Sequence, residues 1–342
     1  MSSASLEAAR VRALSAVNVR LTASERDRAA LDLYQWQREA VPAYGRFAAG
    51  ARPARLEDIP AVPVALFRDV RFCASAAPQA VYRTSGTTTG RRGAHWMPDP
   101  SVYEAAALRW FQACLPGCPV GNTVSLVTPP QTHPDSSLGH MVAHFAPDAR
   151  WFFDPARGVD LGGAWAALIA AREPVFLAGT AFALADLFDL TDLRAALPAG
   201  SVVMVTGGFK GRHTELDGPA LQRAIPERLG PGAAAVGEYG MTELSSQLWD
   251  TGDGFRAPPW LYVYTVDPLT GTPVEGEGLL RFVDLANWGS ALAIETQDLG
   301  TVTRSGSDVP GDRVHLSGRL TGAPPRGCSL TVEESRETAW TG

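Results

Sequence analysis

The sequence contains no apolar run that approaches the length of a membrane span, which removes a bilayer-crossing helix as an organising element. Cysteine is scarce. Cys73, Cys114, Cys118 and Cys328 are too few and too scattered for a secreted disulfide scaffold, so at least one free thiol in a reducing compartment is expected. Excess positive charge is lacking as well: 30 Lys and Arg face 36 Asp and Glu, for a formal net charge of -6. That balance argues against a broadly basic, phosphate-reading surface for nucleic acid. An anionic ligand must then be held by local devices such as backbone amides, a single arginine or a metal ion. The N-terminus carries Glu7, Arg10 and Arg12 where a signal peptide needs an apolar stretch, so a cytoplasmic location is expected.

What is present is an ordinary globular composition, 45% hydrophobic and 19% charged over 342 residues, enough for one large domain or two smaller ones. Residues 5–41 read as helical, with Ser24 and Asp27 resembling an N-cap signal and Leu31, Tyr34 and Arg38 on one face. Prolines 42, 53, 60 and 63 then punctuate an irregular stretch. Across residues 80–240, short apolar segments (123–128, 150–153, 175–178, 202–205, 234–236) alternate with helix-length ones (102–114, 164–171, 182–197, 215–228). Such alternation predicts parallel strands joined by crossover helices, an α/β core. After residue 255 the helices stop, and residues 260–266, 278–283 and 291–296 read as strands between Gly- and Pro-rich turns. The expected division is a helical and irregular region at 1–79, an α/β nucleotide-binding core at 80–255, a β-rich subdomain at 256–316 and a short tail at 317–342.

The most informative segment runs from Tyr82 to Gly93. Thr84, Ser85, Gly86, Thr87, Thr88, Thr89 and Gly90 form an unbroken run of hydroxyl and glycine positions, whose N–H and O–H groups can all turn toward phosphate oxygens. Arg92 adds a charge for the same anion. The loop lacks the Lys-Ser/Thr pair of a Walker loop. A solvated Ser/Thr/Gly surface loop is the alternative reading of these residues taken alone. Further on, Gly237 to Glu243 follows a predicted strand, where loops of open α/β sheets gather ligands. Thr242 can hydrogen-bond a phosphate and Glu243 can hold Mg²⁺. Glu295 to Asp298 is expected to end a strand with a carboxylate able to accept two hydrogen bonds from a ribose diol, and Ser317-Gly318-Arg319 offers a second cation.

In this order, these segments resemble the adenylate-forming superfamily of acyl-CoA ligases, firefly luciferase and peptide synthetase adenylation domains. In that family's phosphate loop, Ser/Thr-Ser-Gly-Thr-Thr-Gly-x-Pro-Lys-Gly, Thr89 stands at the second glycine, Arg91 at the proline and Arg92 at the lysine. Tyr239-Gly240-Met241-Thr242-Glu243 matches Tyr-Gly-x-Thr-Glu in full, and Thr296-Gln297-Asp298 keeps the aspartate of Thr-Gly-Asp. Gly207 and Gly208 stand where the family's adenine-binding glycine pair lies. The resemblance spans residues 82–319 and implies the family's large N-terminal domain, layered α/β sheets with a β-rich subdomain. ATP and Mg²⁺ are the implied cofactors. The usual mobile C-terminal domain with its catalytic lysine is expected to be lacking, which points within the superfamily to the LuxE-type acyl-protein synthetases of bacterial bioluminescence. Those enzymes adenylate a fatty acid, capture it as a thioester on their own cysteine and deliver it to a reductase. Cys328, after Arg326 and Gly327, occupies the corresponding place.

The implied roles are Cys328 as acyl acceptor, Arg92, Thr242 and Glu243 at the phosphates and metal, and Tyr239, Gly240, Asp298 and Arg319 around the nucleotide. The resemblance implies a carboxylic acid substrate, a fatty acid in the LuxE type, with a reductase or carrier as partner. Two other readings stay open: an acyl-CoA or carrier-protein ligase in which Cys328 is structural, and a non-catalytic nucleotide- or acyl-binding protein. A zinc site from Cys114, Cys118, His140 and His144 has no common module's spacing. The segment 129–138, with His133, Ser136 and Ser137, can line an acyl pocket or start a helix capped at Asp135 or Ser136. Trp151-Phe152-Phe153 reads as a buried strand.

Overall fold

The computed structural model describes residues 3–84, 92–207, 218–305 and 311–320. Two helices open the chain, Ser3–Asn18 and Ala23–Ala40, broken by Arg20 to Thr22. The second begins with a capping box on Thr22, whose hydroxyl accepts from Glu25 N while Glu25 Oε2 accepts from Thr22 N at 2.8 Å. The cap therefore lies two residues before the expected Ser24: Ser24 and Asp27 share the spacing, but Thr22 and Glu25 make the reciprocal bonds.

Twelve strands lie along one continuous sheet path among the described residues, with Val62–Pro63 pairing off it onto Ala293–Thr303. One half is parallel: Arg150–Trp151, Thr123–Leu126, Phe176–Thr180, Ser201–Thr206 and Ala233–Tyr239 lie side by side. Thr123–Leu126 and Phe176–Thr180 are buried along their whole length, as strands covered on both faces must be. The crossover helices include Ser137–Phe145, Leu161–Ile169, Ala181–Asp189 and Gly218–Leu229. The other half is antiparallel, running from Leu248–Asp250 and Phe255–Arg256 through Arg313–Arg319, Ala293–Thr303, Gly278–Asp284 and Leu261–Val266 to Pro273–Val274. Core and β-rich region thus share one sheet, and residue 316 falls inside a strand rather than at an edge. Among the described residues no helix is long and apolar enough to cross a membrane.

Three expected elements differ. The helix expected over 182–197 stops at Asp189. Beyond it Ala195 N and Leu197 N bond to Arg228 O and Leu229 O, and Arg194 Nη1 to Glu227 O, so this segment satisfies the end of helix Gly218–Leu229 instead of coiling on itself. Trp151 and Phe153 belong to different strands, and Trp151 and Phe152 are only half-buried, because Phe153–Asp154 turns away to pair with Gly158–Val159. The strand expected over 291–296 extends as Ala293–Thr303.

The N-terminal region is tied to the core by Gln37, a fully buried polar side chain on the second helix. Its Nε2 donates to Asn287 O at 2.7 Å and Trp288 O at 2.9 Å, and its Oε1 accepts from Leu292 N at 2.9 Å. Gln37→Leu keeps the volume but strands three buried backbone groups, so urea unfolding should show a loss of about 2–5 kcal/mol.

Candidate active site

The cleft opens beyond the carboxyl ends of the parallel strands, where open α/β sheets place their ligands. Val127 and Thr128 follow strand Thr123–Leu126, and Thr242 follows strand Ala233–Tyr239; all three line it. Arg83 and Arg92 close one side, and His133, Asp135, Ser136, Ser137 and Leu138 the other. Its space, including the part open to solvent, is about 440 Å³. Ser136 caps helix Ser137–Phe145 by accepting from Gly139 N at 3.0 Å, so the segment 129–138 both starts a helix and walls the cleft.

The expected phosphate loop is the connection of an antiparallel hairpin, Ala80–Arg83 with Ala94–Met97. Its stem is closed by Thr84 N to Gly93 O at 2.9 Å and Gly93 N to Thr84 Oγ1 at 2.8 Å. Ser85, Gly86, Thr87, Thr88, Thr89 and Gly90 lie outside the described residues, as do Gly208 and Cys328. Arg92 is placed: its Nε donates to Thr84 O at 2.6 Å and its Nη1 to Asp135 Oδ2 at 2.8 Å.

The turn from Tyr239 to Glu243 is held from several sides. The Tyr239 ring packs between Phe282 and Phe255, each centroid at 5.9 Å, and its hydroxyl donates to Asp298 Oδ2 at 2.8 Å. At Gly240 a Cβ would sit 2.5 Å from Glu238 Oε1, so any larger residue there would displace the Glu238 carboxyl. Two successive carbonyls are taken by buried side chains that sequence reasoning missed. His95 Nδ1 meets Thr242 O at 2.7 Å, and Asn287 Nδ2 donates to Glu243 O at 2.9 Å. A carbonyl only accepts, so His95 carries its proton on Nδ1, and Nε2 is left to accept from Ser290 Oγ at 2.8 Å. Thr242 and Glu243 are both buried.

Asp298 does not end its strand. It lies inside Ala293–Thr303, just before a register shift at Leu299/Gly300, and is the cross-strand partner of Arg319. Its Oδ1 lies 2.9 Å from Arg319 Nε, and Arg319 Nη2 donates to Gln297 Oε1 at 3.0 Å. The structure thus brings Arg92 and Thr242 onto one cleft, and separately joins Tyr239, Asp298 and Arg319 by direct contacts; Tyr239, Glu243, Asp298 and Arg319 are not among the residues that line that cleft. Gly207 ends strand Ser201–Thr206 with a φ of +78° and open space where a side chain would stand.

Cys114 and Cys118 do not meet His140, which bonds Glu104 Oε1 at 2.9 Å, and no cluster of three or more metal-ligating groups occurs among the described residues. Burial keeps the described thiols protonated: that of Cys73 is raised, that of Cys114 reaches about 11 and that of Cys118 about 12.

Glu238, directly before the turn, is buried, hydrogen-bonded by its strand neighbour Thr206, and pushed by burial from 4.5 to about 7. His95 moves oppositely, from 6.5 down to about 4, again through burial. A raised carboxyl leaves the fold unpenalised below pH 4.5 and weakens it as pH rises through 7, whereas the depressed imidazole weakens it as pH falls from 6.5 to 4. Glu238→Gln, which stays neutral, should therefore gain stability over the wild type by about 2–3 kcal/mol between pH 4.5 and 7.5. Denaturant unfolding of both proteins across that range measures the difference.

No protein-family model matches the chain. A stretch of 101 residues is 37% identical to the long-chain-fatty-acid–luciferin-component ligase of Aliivibrio fischeri, covering 28% of this chain and about a quarter (26%) of that protein. Among solved structures, an open conformation of 2-hydroxyisobutyryl-CoA ligase in complex with 2-HIB-AMP and CoA superimposes with a TM-score of 0.60 at 19% identity, covering 91% of this chain and 80% of that one. The same ligase in its postadenylation state with 2-HIB-AMP gives 0.62 at 19% identity over 93% and 74%. The chain has the α/β fold of the large N-terminal domain of adenylate-forming enzymes, and in sequence it resembles their LuxE-type members.

Proposed function

We propose that this protein activates a carboxylic acid with ATP as the acyl-adenylate and passes the acyl group to sulfur. The observation that carries the reading is the cleft itself, with Arg92 and Thr242 on its walls and the Tyr239–Asp298–Arg319 contacts beside it. The partial match to a long-chain-fatty-acid ligase and the fold shared with a CoA ligase in complex with 2-HIB-AMP support the same chemistry.

The residues suit the ligands. Asp298, oriented by the Tyr239 hydroxyl and Arg319, is the proposed acceptor for a ribose diol, since a carboxylate oxygen can accept more than one hydrogen bond. Gly207 leaves space beside it for a flat base. Glu243 supplies one hard carboxylate, and Mg²⁺ is commonly held by one or two carboxylates together with substrate phosphates. When bound there, the ion would neutralise charge on the phosphates.

In the proposed first half-reaction a carboxylate oxygen attacks the α-phosphorus of ATP. The P–O bond to the β-phosphate breaks and pyrophosphate leaves. Arg92 faces the charge that develops on the phosphates, and Thr242 offers a hydroxyl donor whose backbone His95 fixes. In the second, a thiolate attacks the acyl carbon, the C–O bond breaks and AMP departs, leaving a thioester. Cys73 is buried and Cys114 and Cys118 are half-buried, with all three thiols raised by desolvation, so Cys328, two residues after Arg326, is the proposed nucleophile. A fatty acid is the proposed substrate, and an acyl reductase or a thiol carrier the proposed recipient.

Pyrophosphate-dependent exchange of label into ATP, screened over carboxylic acids, tests the first half. Glu243→Gln should lower it about a hundredfold or more. ATP binding with no exchange for any acid would instead identify a binding protein. Cys328→Ala should exchange normally but retain no labelled acyl group after denaturation. Equal labelling of the variant, or free acyl-CoA formed at the wild-type rate, would assign the acceptor role elsewhere.

A further inference from the structure

Asp135 faces Arg92 across the mouth of the cleft and belongs to none of the roles above. It comes from the segment between strand Thr123–Leu126 and helix Ser137–Phe145, yet it grips the hairpin stem twice. Its backbone oxygen accepts from Arg83 N at 2.8 Å, and its Oδ2 accepts from Arg92 Nη1 at 2.8 Å. Two features fix it in place. Ser136, its neighbour, is the helix cap, and the turn before it is closed by Ser136 N to His133 O at 3.1 Å. Arg92 is meanwhile held at its other edge by Thr84 O, with a long contact of 3.5 Å from Nη2 to Arg83 O. A guanidinium carries five N–H donors, so these three contacts leave two for an incoming anion.

We propose that Asp135 is a positioning residue that holds the Arg92 guanidinium in place for the polyphosphate of the nucleotide. The inference rests on the reading that this cleft receives the phosphates. An arginine on a free hairpin loses rotamer freedom when it grips an anion; one already held in the plane of Thr84 O and Asp135 loses less. The carboxylate also opposes the phosphate charge. Both side chains are partly exposed, 38% for Arg92 and 27% for Asp135, so water screens that repulsion, and orientation decides the sign.

The test uses the full chain as wild type, Asp135→Ala, Asp135→Asn, Arg92→Ala and the Arg92→Ala/Asp135→Ala double variant. Calorimetry with MgATP and with inorganic pyrophosphate reads binding, and pyrophosphate exchange reads turnover. Asp135→Ala should weaken both ligands about three- to tenfold and lower exchange about ten- to a hundredfold, more in kcat than in KM. Asp135→Asn still accepts from Arg92 and should recover most of both. In the Arg92→Ala background, Asp135→Ala should cost nothing further. Tighter binding by Asp135→Ala would overturn positioning in favour of a competing anion, and an undiminished loss in the Arg92→Ala background would reduce Asp135 to a loop residue. Failure of the wild type to bind either ligand would overturn it too. The binding measurements need no acid, so if ATP binds but no acid supports exchange, the acid-activation reading fails while the coupling in binding still decides Asp135.

Discussion

A buried turn that carries Thr242 to the wall of a cleft has to satisfy its own backbone from elsewhere, and that constraint organises this molecule. Between Tyr239 and Glu243 the chain leaves the sheet, so Thr242 O and Glu243 O lose ladder partners while remaining buried. His95, from the hairpin beside the cleft, takes the first, and Asn287, from the turn after strand Gly278–Asp284, takes the second. Asn287 also accepts from Ser245 N at 2.8 Å and donates to Ala291 O at 3.0 Å, so one side chain locks two turns together. Gln37 grips that same Asn287–Leu292 turn from the opposite side. Removing water from these groups makes each hydrogen bond a condition of the fold rather than an ornament of it.

Burial also sets the charge state of this interior. Asp284, at the base of the Asn287 turn, is pushed to about 6, and its Oδ1 accepts from Ser246 Oγ at 2.8 Å and Ala286 N at 2.9 Å. Glu238 and Asp284 are raised and His95 is lowered by the same desolvation. The carboxyls favour the fold at low pH and the imidazole favours it at high pH. Within this interior, stability is therefore squeezed between acid and neutral conditions by groups that flank the turn.

The alternation of parallel strands and helices was legible because hydrophobic periodicity is a local signal, and the turn that carries Thr242 was legible as the segment directly after a strand. What escaped was long-range. His95 and Thr242 are 147 residues apart and Arg92 and Asp135 are 43 apart, and no spacing in the sequence couples them. The expected strand over 291–296 was too short because the polar run Thr296 to Asp298 reads as a strand end. In the fold, Thr296 Oγ1 donates to Leu280 O at 2.9 Å, and Asp298 finds Tyr239 and Arg319, so the polar groups are satisfied and the strand continues. Cys328 and the residues from Ser85 to Gly90 keep their standing as sequence readings.

Tyr239 ends the parallel half of the sheet and Asp298 lies in the antiparallel half, so their 2.8 Å hydrogen bond spans the seam between the two architectures. A carboxylate that only had to anchor a tyrosine would need no arginine, and one that only balanced Arg319 would need no phenol. Sharing Asp298 between them fixes both of its oxygens. On the proposed reading a ribose diol there would rest on a group already oriented by both halves of the sheet. Arg92 is oriented in the same manner, between Thr84 and Asp135. The common device is a charged group whose geometry is set by contacts from two separate segments before any ligand arrives, and on the proposed reading that would lower the ordering cost of binding at each end of a nucleotide.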